Sequence, residues 1–302
     1  MNRRNFLRAG AHLMLAGASA SILSGCQTMN QLATLADPYL SEDGRTMMNI
    51  LVSAGDAFTT LDPEQEYYLG RSVAAQLMTD YKPWNNTAAN NYINLVGRCV
   101  SCASGLPETF GGYHFQILDS DELNAFSAPG GLILITRGML RCCKTEDELA
   151  AVLAHEVGHT SARHGVRSIQ GSRITSLATM VGVEAVRREG NDNLVKLVNI
   201  FEGSLDDVTN TLVTSGYSRS YEREADAEAS KMMAKVGYDP RALVSLLETM
   251  DSRLTPGGTD FARTHPTPES RIQDLEKILP AAVPSSGTAA RQRRFNQAMR
   301  RV

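Results

Sequence analysis

The chain has 302 residues, of which 42% are hydrophobic, and a formal net charge of −3 at pH 7. That balance lacks the basic excess of a nucleic-acid-binding protein, so no nucleic-acid partner is expected. No internal repeat is evident.

In chain order, residues 1–25 read as an export signal rather than part of the fold: MNRRNFLRAG supplies the charged start and AHLMLAGASASILSG an apolar stretch too short to span a bilayer. Leu23, Ser24, Gly25 and Cys26 resemble a bacterial lipobox, which implies lipidation of Cys26 and attachment to a membrane. Arg3 and Arg4 with Phe6 and Leu7 resemble a twin-arginine signal, although paired arginines also serve the general secretory route. Gln27 stands where Asp would imply inner-membrane retention, so the expectation is an outer-membrane lipoprotein facing the periplasm. Loss of Arg3, Arg4 and Arg8 with the leader takes the charge from −3 to about −6.

Residues 26–57 read as a tether and N-terminal helix, with helical pieces over Thr46–Phe58 and Asp62–Asp80. Residues 58–280 are enough for one substantial core. Strands are expected over Tyr113–Asp119 and Leu132–Thr136, separated by NAFSAPGG, where Gly130 and Gly131 permit close backbone approach. Ile174–Val186 is apolar but too short to cross a membrane. Residues 281–302 form a basic tail, expected to be solvated, with an amphipathic helix as the alternative.

Of the mature chain's cysteines, Cys99, Cys102, Cys142 and Cys143, an oxidising compartment favours disulfides. Crosslinks between the 99/102 pair and the 142/143 pair are preferred, because a ring joining the adjacent Cys142 and Cys143 would be strained; a four-thiolate zinc site is the alternative.

The most informative stretch is AVLAHEVGHTSARHG. Thr145 and Glu148 form an N-cap and capping box, and Leu149 to Ala154 carry a helix into the motif. On that helix His155 and His159 lie one turn apart on one face, so their imidazoles can share one metal ion, and Glu156 beside them can take a proton from a metal-activated water. Chance places H-E-x-x-H in such a chain with odds of roughly one in a hundred.

A catalytic zinc needs one more protein ligand. His164 does not fit the metzincin pattern: Ala162 holds the position of the required Gly, and His164 comes one residue early. Five residues on a continuing helix turn about 140°, so His164 is expected to point away from His159, near the helix end at Gly165. Two segments offer Glu-x-x-x-Asp on another helix. Glu202 to Asp206 contains Gly203 and Ser204, whereas Glu222 to Asp226 lies in a helix-forming run over Tyr221–Val236, so Glu222 is the candidate ligand and Asp226 the carboxylate that holds a ligating His by its other ring nitrogen.

HEVGH, SRSYEREAD and THPTPESR in this order resemble the gluzincin family of the CAAX prenyl protease and the HtpX heat-shock protease, from about Leu61 to Leu279. The best match is the periplasmic lipoprotein branch typified by LoiP; BepA is a relative that carries helical repeats, of which none follows Leu279. The resemblance implies an α+β, mainly helical zincin (gluzincin) metalloprotease domain with a small β-sheet edge beside the zinc helix. It implies one Zn2+ per chain held by His155, His159 and Glu222, with Glu156 as the base and Asp226 supporting a ligand. His265 and Arg271 match the family's HP motif, whose His either stabilises the oxyanion or occupies the open coordination position at rest. Asn124, Ala125 and Phe126 correspond to the strand that lines the substrate cleft.

The implied activity is a zinc endopeptidase acting on unfolded or misassembled envelope proteins, with outer-membrane assembly machinery as a partner. The alternative is a chaperone-like binding protein for outer-membrane protein assembly with a latent zinc site.

Overall fold

The computed structural model describes residues 61, 63–169, 203, 205–253, 261–279, 288–300 and 302. The leader, Cys26, the tether, the helical stretch expected over Thr46–Phe58 and the apolar stretch Ile174–Val186 lie outside them. The elements below belong to one compact unit built from Leu61–Ile169 and Leu205–Val302.

Helix α1 spans Pro63–Asp80, opening with proline and with Glu64 and Glu66 in its first turn, where both residue types suit the free backbone N–H groups. Helix α2 spans Thr87–Ser101 and is capped by Asn86, whose side chain accepts from Ala89 N. Strand β1 (His114–Leu118) follows, then β2 (Ala125–Ala128) and β3 (Leu132–Thr136). The sheet order is β1-β3-β2, with β1 parallel and β2 antiparallel to β3. All five residues of β3 are buried, as its uninterrupted LILI run requires of a central strand.

The outer edge of β1 is closed by two asparagine side chains together with the backbone of residues 82–84, where Trp84 N donates to Ile117 O at 2.8 Å and Asp119 N to Lys82 O at 2.7 Å. Asn94 accepts from Phe115 N at 3.0 Å and donates to Phe115 O at 2.6 Å, and Asn90 accepts from Ile117 N at 2.9 Å. Two asparagines one turn apart on α2 thus occupy the part of the edge that would otherwise be free to pair. Between β2 and β3 the chain reverses over Pro129–Gly131, with φ of 73° at Gly130 and 93° at Gly131. Helix α1 presses directly on this turn, since a Cβ on Gly70 would lie 1.7 Å from Pro129 O.

Helix α3 (Arg137–Cys142) leads into α4 (Glu146–Ser161), which carries the H-E-x-x-H motif. The expected cap of α4 is present: Thr145 Oγ1 accepts from Glu148 N at 3.1 Å, and Glu148 reaches back to Lys144 N at 2.5 Å. Residues 146–160 of α4 are all buried. The helix is wrapped by α2, by the β2 side of the sheet, and by α6 (Arg219–Lys235) and α7 (Ala242–Asp251). Burial of Leu149, Val152, Leu153 and Val157 alone contributes roughly 1.5–3 kcal/mol per side chain. Between α4 and α6 lie the one-turn helix α5 (His164–Arg167) and a π-helical turn over Thr211–Ser215. Helices α8 (Phe261–Thr264), α9 (Pro268–Leu275) and α10 (Thr288–Met299) complete the order. Among the described residues, no helix is long and apolar enough to cross a membrane.

Two expectations are corrected. The basic end segment does not trail into solvent: α10 docks on the start of α4 through buried Phe295, with Arg294 paired to Glu146 and Arg291 paired to Asp147. The four cysteines carry free thiols in this structure. Cys142 and Cys143 are buried in the core, where Cys143 Sγ donates to Met139 O, while Cys99 and Cys102 are exposed on and just after α2. Burial pushes the Cys143 thiol well above its ordinary value.

Candidate metal centre

Helix α4 presents His155 and His159 on one buried face, with their Nε2 atoms 3.1 Å apart. Glu222 enters from the first turn of α6. Its Oε2 lies 3.6 Å from His155 Nε2 and its Oε1 3.4 Å from His159 Nε2, and neither oxygen has a hydrogen-bond partner. Bonds of about 2.0–2.1 Å to a tetrahedral ion would set neighbouring donors about 3.3 Å apart, so these three residues fit a zinc-sized ion. His265 supplies a fourth donor, its Nε2 3.9 Å from Glu222 Oε1, and the four donor atoms lie within 4.8 Å of one another. The alternative acidic pair is not brought here: Glu202 lies outside the described residues and Asp206 is exposed.

One turn beyond Glu222, Asp226 Oδ1 sits 2.9 Å from His155 Nδ1. Arg271 on α9 grips the same carboxylate with both arms of its fork, at 3.0 Å from Nε to Oδ2 and 2.6 Å from Nη2 to Oδ1. Burial opposes a charge on Asp226, but Arg271 and His155 outweigh it and hold the carboxyl well below the usual carboxylate range. His155 experiences the reverse balance. Burial and Arg271 disfavour its proton, Asp226 and Glu222 favour it, and the imidazole is raised to about 9.

Glu156 lies beside the donors, 2% exposed, with Oε1 unpartnered. Burial lifts its carboxyl to about 7, Glu222 adding to the rise and His155 and Arg271 opposing it. It faces a narrow cleft with about 10 Å³ of room for a water-sized sphere, whose walls include Ala125 and Phe126 of β2, Leu212, Tyr217 and His265. Ser127 clamps β2 to the helix, its Oγ donating to Glu156 O at 2.8 Å and meeting Thr160 Oγ1 at 2.8 Å. Asn124 precedes β2 and is buried, and its Oδ1 accepts from Ala125 N at 2.9 Å.

Residues 87–279, well over half of the chain, match the profile of peptidase family M48. The chain belongs to peptidase family M48. It is 28% identical over 276 residues to the beta-barrel assembly-enhancing protease of Escherichia coli (strain K12), covering 87% of this chain and 53% of that protein. Over 197 residues it is 31% identical to the mitochondrial metalloendopeptidase OMA1 of Schizosaccharomyces pombe, covering 63% of this chain and 53% of that protein. It also resembles OMA1 of Saccharomyces cerevisiae, at 30% over 165 residues, covering 53% of this chain and 44% of that protein. The chain thus spans about half the length of these curated relatives.

This M48 chain places one histidine contrary to expectation. His164 does not point away from His159: its Nδ1 is 2.8 Å from His159 Nδ1. The helical rotation that separates them stops at Ala162, and Arg163 takes the left-handed conformation at φ 56°, folding the chain back. Arg163 is held there by Glu66, 2.8 Å from its Nε. Tyr217 is a further site residue without a sequence signal, its ring stacked on His159 at 4.4 Å.

Proposed function

We propose that this chain is a zinc-dependent endopeptidase acting on unfolded or misassembled cell-envelope proteins. The observation that carries the reading is the convergence of His155, His159, Glu222 and His265 beside an unpartnered, buried Glu156 on the wall of a cleft. His155, His159 and Glu222 hold the ion. When bound, it supplies Lewis acidity, polarising the scissile carbonyl and lowering the pKa of water to roughly 7.

Glu156 is the general base: its Oε1 takes a proton from the attacking water and passes it to the leaving amine. Burial raises this carboxyl in the metal-free protein, and a bound cation would draw it back toward the carboxylate that accepts the proton. His265 steadies the oxygen on which negative charge develops. Asp226 orients His155, and Arg271 keeps Asp226 ionised and fixed. The substrate backbone adds to the open side of β2, which is an outer strand of the sheet, so Asn124, Ala125 and Phe126 border the bound peptide.

The envelope substrates, the outer-membrane lipoprotein location through Cys26 and a partnership with outer-membrane assembly machinery rest on the leader sequence and on the name of the Escherichia coli relative. The resemblance to the lipoprotein branch rests on the sequence alone.

The test compares the parent with Glu156→Gln for zinc content and peptide cleavage. Equal zinc in both with cleavage only by the parent is the expected result. Cleavage by the variant at the parent rate would remove Glu156 from the mechanism. Absence of cleavage by either, with equal suppression of aggregation, would favour a binding protein.

A further inference from the structure

His159 has a second connection that the peptidase chemistry above does not use. Its Nδ1 lies 2.8 Å from His164 Nδ1, and the far nitrogen of His164, Nε2, lies 3.1 Å from Glu224 Oε2. Glu224 is in turn 3.0 Å from Arg167 Nη1, on a surface where both side chains are more than two-fifths exposed. The His164 ring is fixed in plane by Tyr221, stacked at 4.4 Å with 3° between planes, and the Arg167 guanidinium lies over the same Tyr221 ring at 4.2 Å.

The proton order along this chain follows from its two ends. A carboxylate accepts only, so the Nε2 of His164 that faces Glu224 carries the hydrogen, and neutral His164 then offers a lone pair at Nδ1. That lone pair requires a hydrogen on His159 Nδ1, which leaves the lone pair of His159 on Nε2. Nε2 is the atom turned toward His155 and Glu222. In the opposite order His159 would present an N–H to the donor set, and His164 would turn a lone pair toward a carboxylate. His155 reaches the same state by a different route, through Asp226 at its Nδ1.

We propose that His164, backed by Glu224, is a positioning residue that fixes the ring tautomer and orientation of His159 and so sets the affinity of the site for its metal. This rests on the reading that His159 holds a metal. It gives the sequence H-E-x-x-H-x-x-x-x-H a physical role for its last histidine, which is not among the grouped donors.

The test uses the full chain and zinc. Zinc affinity is measured by competition with a chromophoric chelator for the parent, His164→Leu and His164→Asn. Loss of an outer hydrogen-bond partner weakens metal binding roughly 10–100-fold, and His164→Leu is expected to fall in that range. Asn carries a carbonyl oxygen where Nδ1 was, able to accept from His159, so His164→Asn should return to within about threefold of the parent. A Leu variant within about threefold of the parent, or an Asn variant as weak as Leu, would overturn the proposal. A long-range proton–nitrogen spectrum of the zinc-loaded parent supplies a readout that needs no variant. It should show His164 with hydrogen on Nε2, and hydrogen on Nδ1 would sink the assignment even if His164→Leu does not fold. A parent that binds no zinc would overturn the metal reading itself, a result distinct from any of these.

Discussion

Nδ1 of His155 faces Asp226 Oδ1 at 2.9 Å while its Nε2 faces that of His159 at 3.1 Å, so one side of the imidazole is committed to a carboxylate and the other is free for a ligand. In the metal-free protein this environment raises the imidazole to about 9. Its proton is therefore present at neutral pH and must leave when a metal binds. Zinc affinity should rise with pH across the neutral range, approaching tenfold per pH unit below that value where His155 dominates. Calorimetric titration near pH 7 in buffers of different ionisation enthalpy should show about one proton released per zinc from this group. Binding without proton release would contradict the assignment.

The same shift has a consequence for the metal-free fold. Its folded value lies above the ordinary imidazole value, so His155 contributes stability that is full below about 6.5 and is lost as pH rises toward about 9. Glu156 acts in the same direction at lower pH. Its carboxyl is raised from 4.5 to about 7, so the folded state holds a proton that the unfolded chain has released, and stability declines between those values. Below about pH 6.5 the depressed His159, His164 and His265 act in the opposite direction. The Glu156 contribution is therefore read as the difference between the urea-midpoint profiles of chelator-treated parent and Glu156→Gln from pH 5 to pH 7, while the midpoints of both should fall from pH 7 to pH 9. Parallel profiles for the two proteins would remove Glu156 as a contributor.

Arg271 and Asp226 form a buried ion pair, with side chains 4% and 5% exposed. Removal of one partner strands the other charge, so Arg271→Ala should cost about 3–5 kcal/mol of unfolding free energy. Asp226→Asn strands the Arg271 charge and should cost a similar amount, and it should also lose about 10–100-fold in zinc affinity, because the amide no longer draws the hydrogen of His155 to Nδ1 with a full charge. Chemical denaturation and chelator competition separate the two effects. Equal zinc affinity in parent and Asp226→Asn would show that His155 needs no such support.

The parts of this site that the sequence reveals are those governed by local geometry. His155 and His159 converge because residues four apart share a helical face, and Glu222 and Asp226 repeat that spacing on α6. Thr145 and Glu148 announce their own helix start, and the apolar run Leu132–Ile135 announces a central strand. His164 is hidden because its position depends on one left-handed residue, and Arg163 stands where a glycine would have signalled the turn. The docking of α10 is hidden for a different reason. Its partners, Glu146 and Asp147, are acids in the first turn of α4, where such residues need no partner to make sense. The cysteines show the same limit, since spacing along a chain says little about which side of a helix meets the core.

Gly158, between His155 and His159, lies against the backbone of α6: a Cβ there would be 3.0 Å from Ala225 O and 3.2 Å from Ala225 Cα. Alanine would gain roughly 1 kcal/mol of helix propensity against this crowding, whereas valine has no such margin. Gly158→Val should force α4 and α6 apart at a cost of about 1–3 kcal/mol and carry Glu222 away from His155 and His159. Stability and zinc affinity should fall together. Loss of stability with unchanged zinc affinity would mean that the separation of the helices does not set the donor spacing.

The C-terminal helix can be tested without touching the site. Phe295 is 5% exposed, and Glu146, 1% exposed, receives hydrogen bonds from Tyr92 at 2.7 Å and Tyr238 at 2.9 Å as well as the Arg294 fork. Glu146 is fully enclosed while Arg294 is about half exposed, so loss of the arginine leaves a buried carboxylate with two neutral donors and partial access to water. Arg294→Ala should therefore cost about 1–3 kcal/mol, below the value for a fully buried pair. Phe295→Ala should cost about 2–4 kcal/mol through lost burial and the cavity left against the start of α4. The double substitution should fall short of the sum, because both residues hold the same helix and it can be released only once. Urea unfolding of the three variants decides the matter: values within about 0.5 kcal/mol of the parent are what a solvated tail would give.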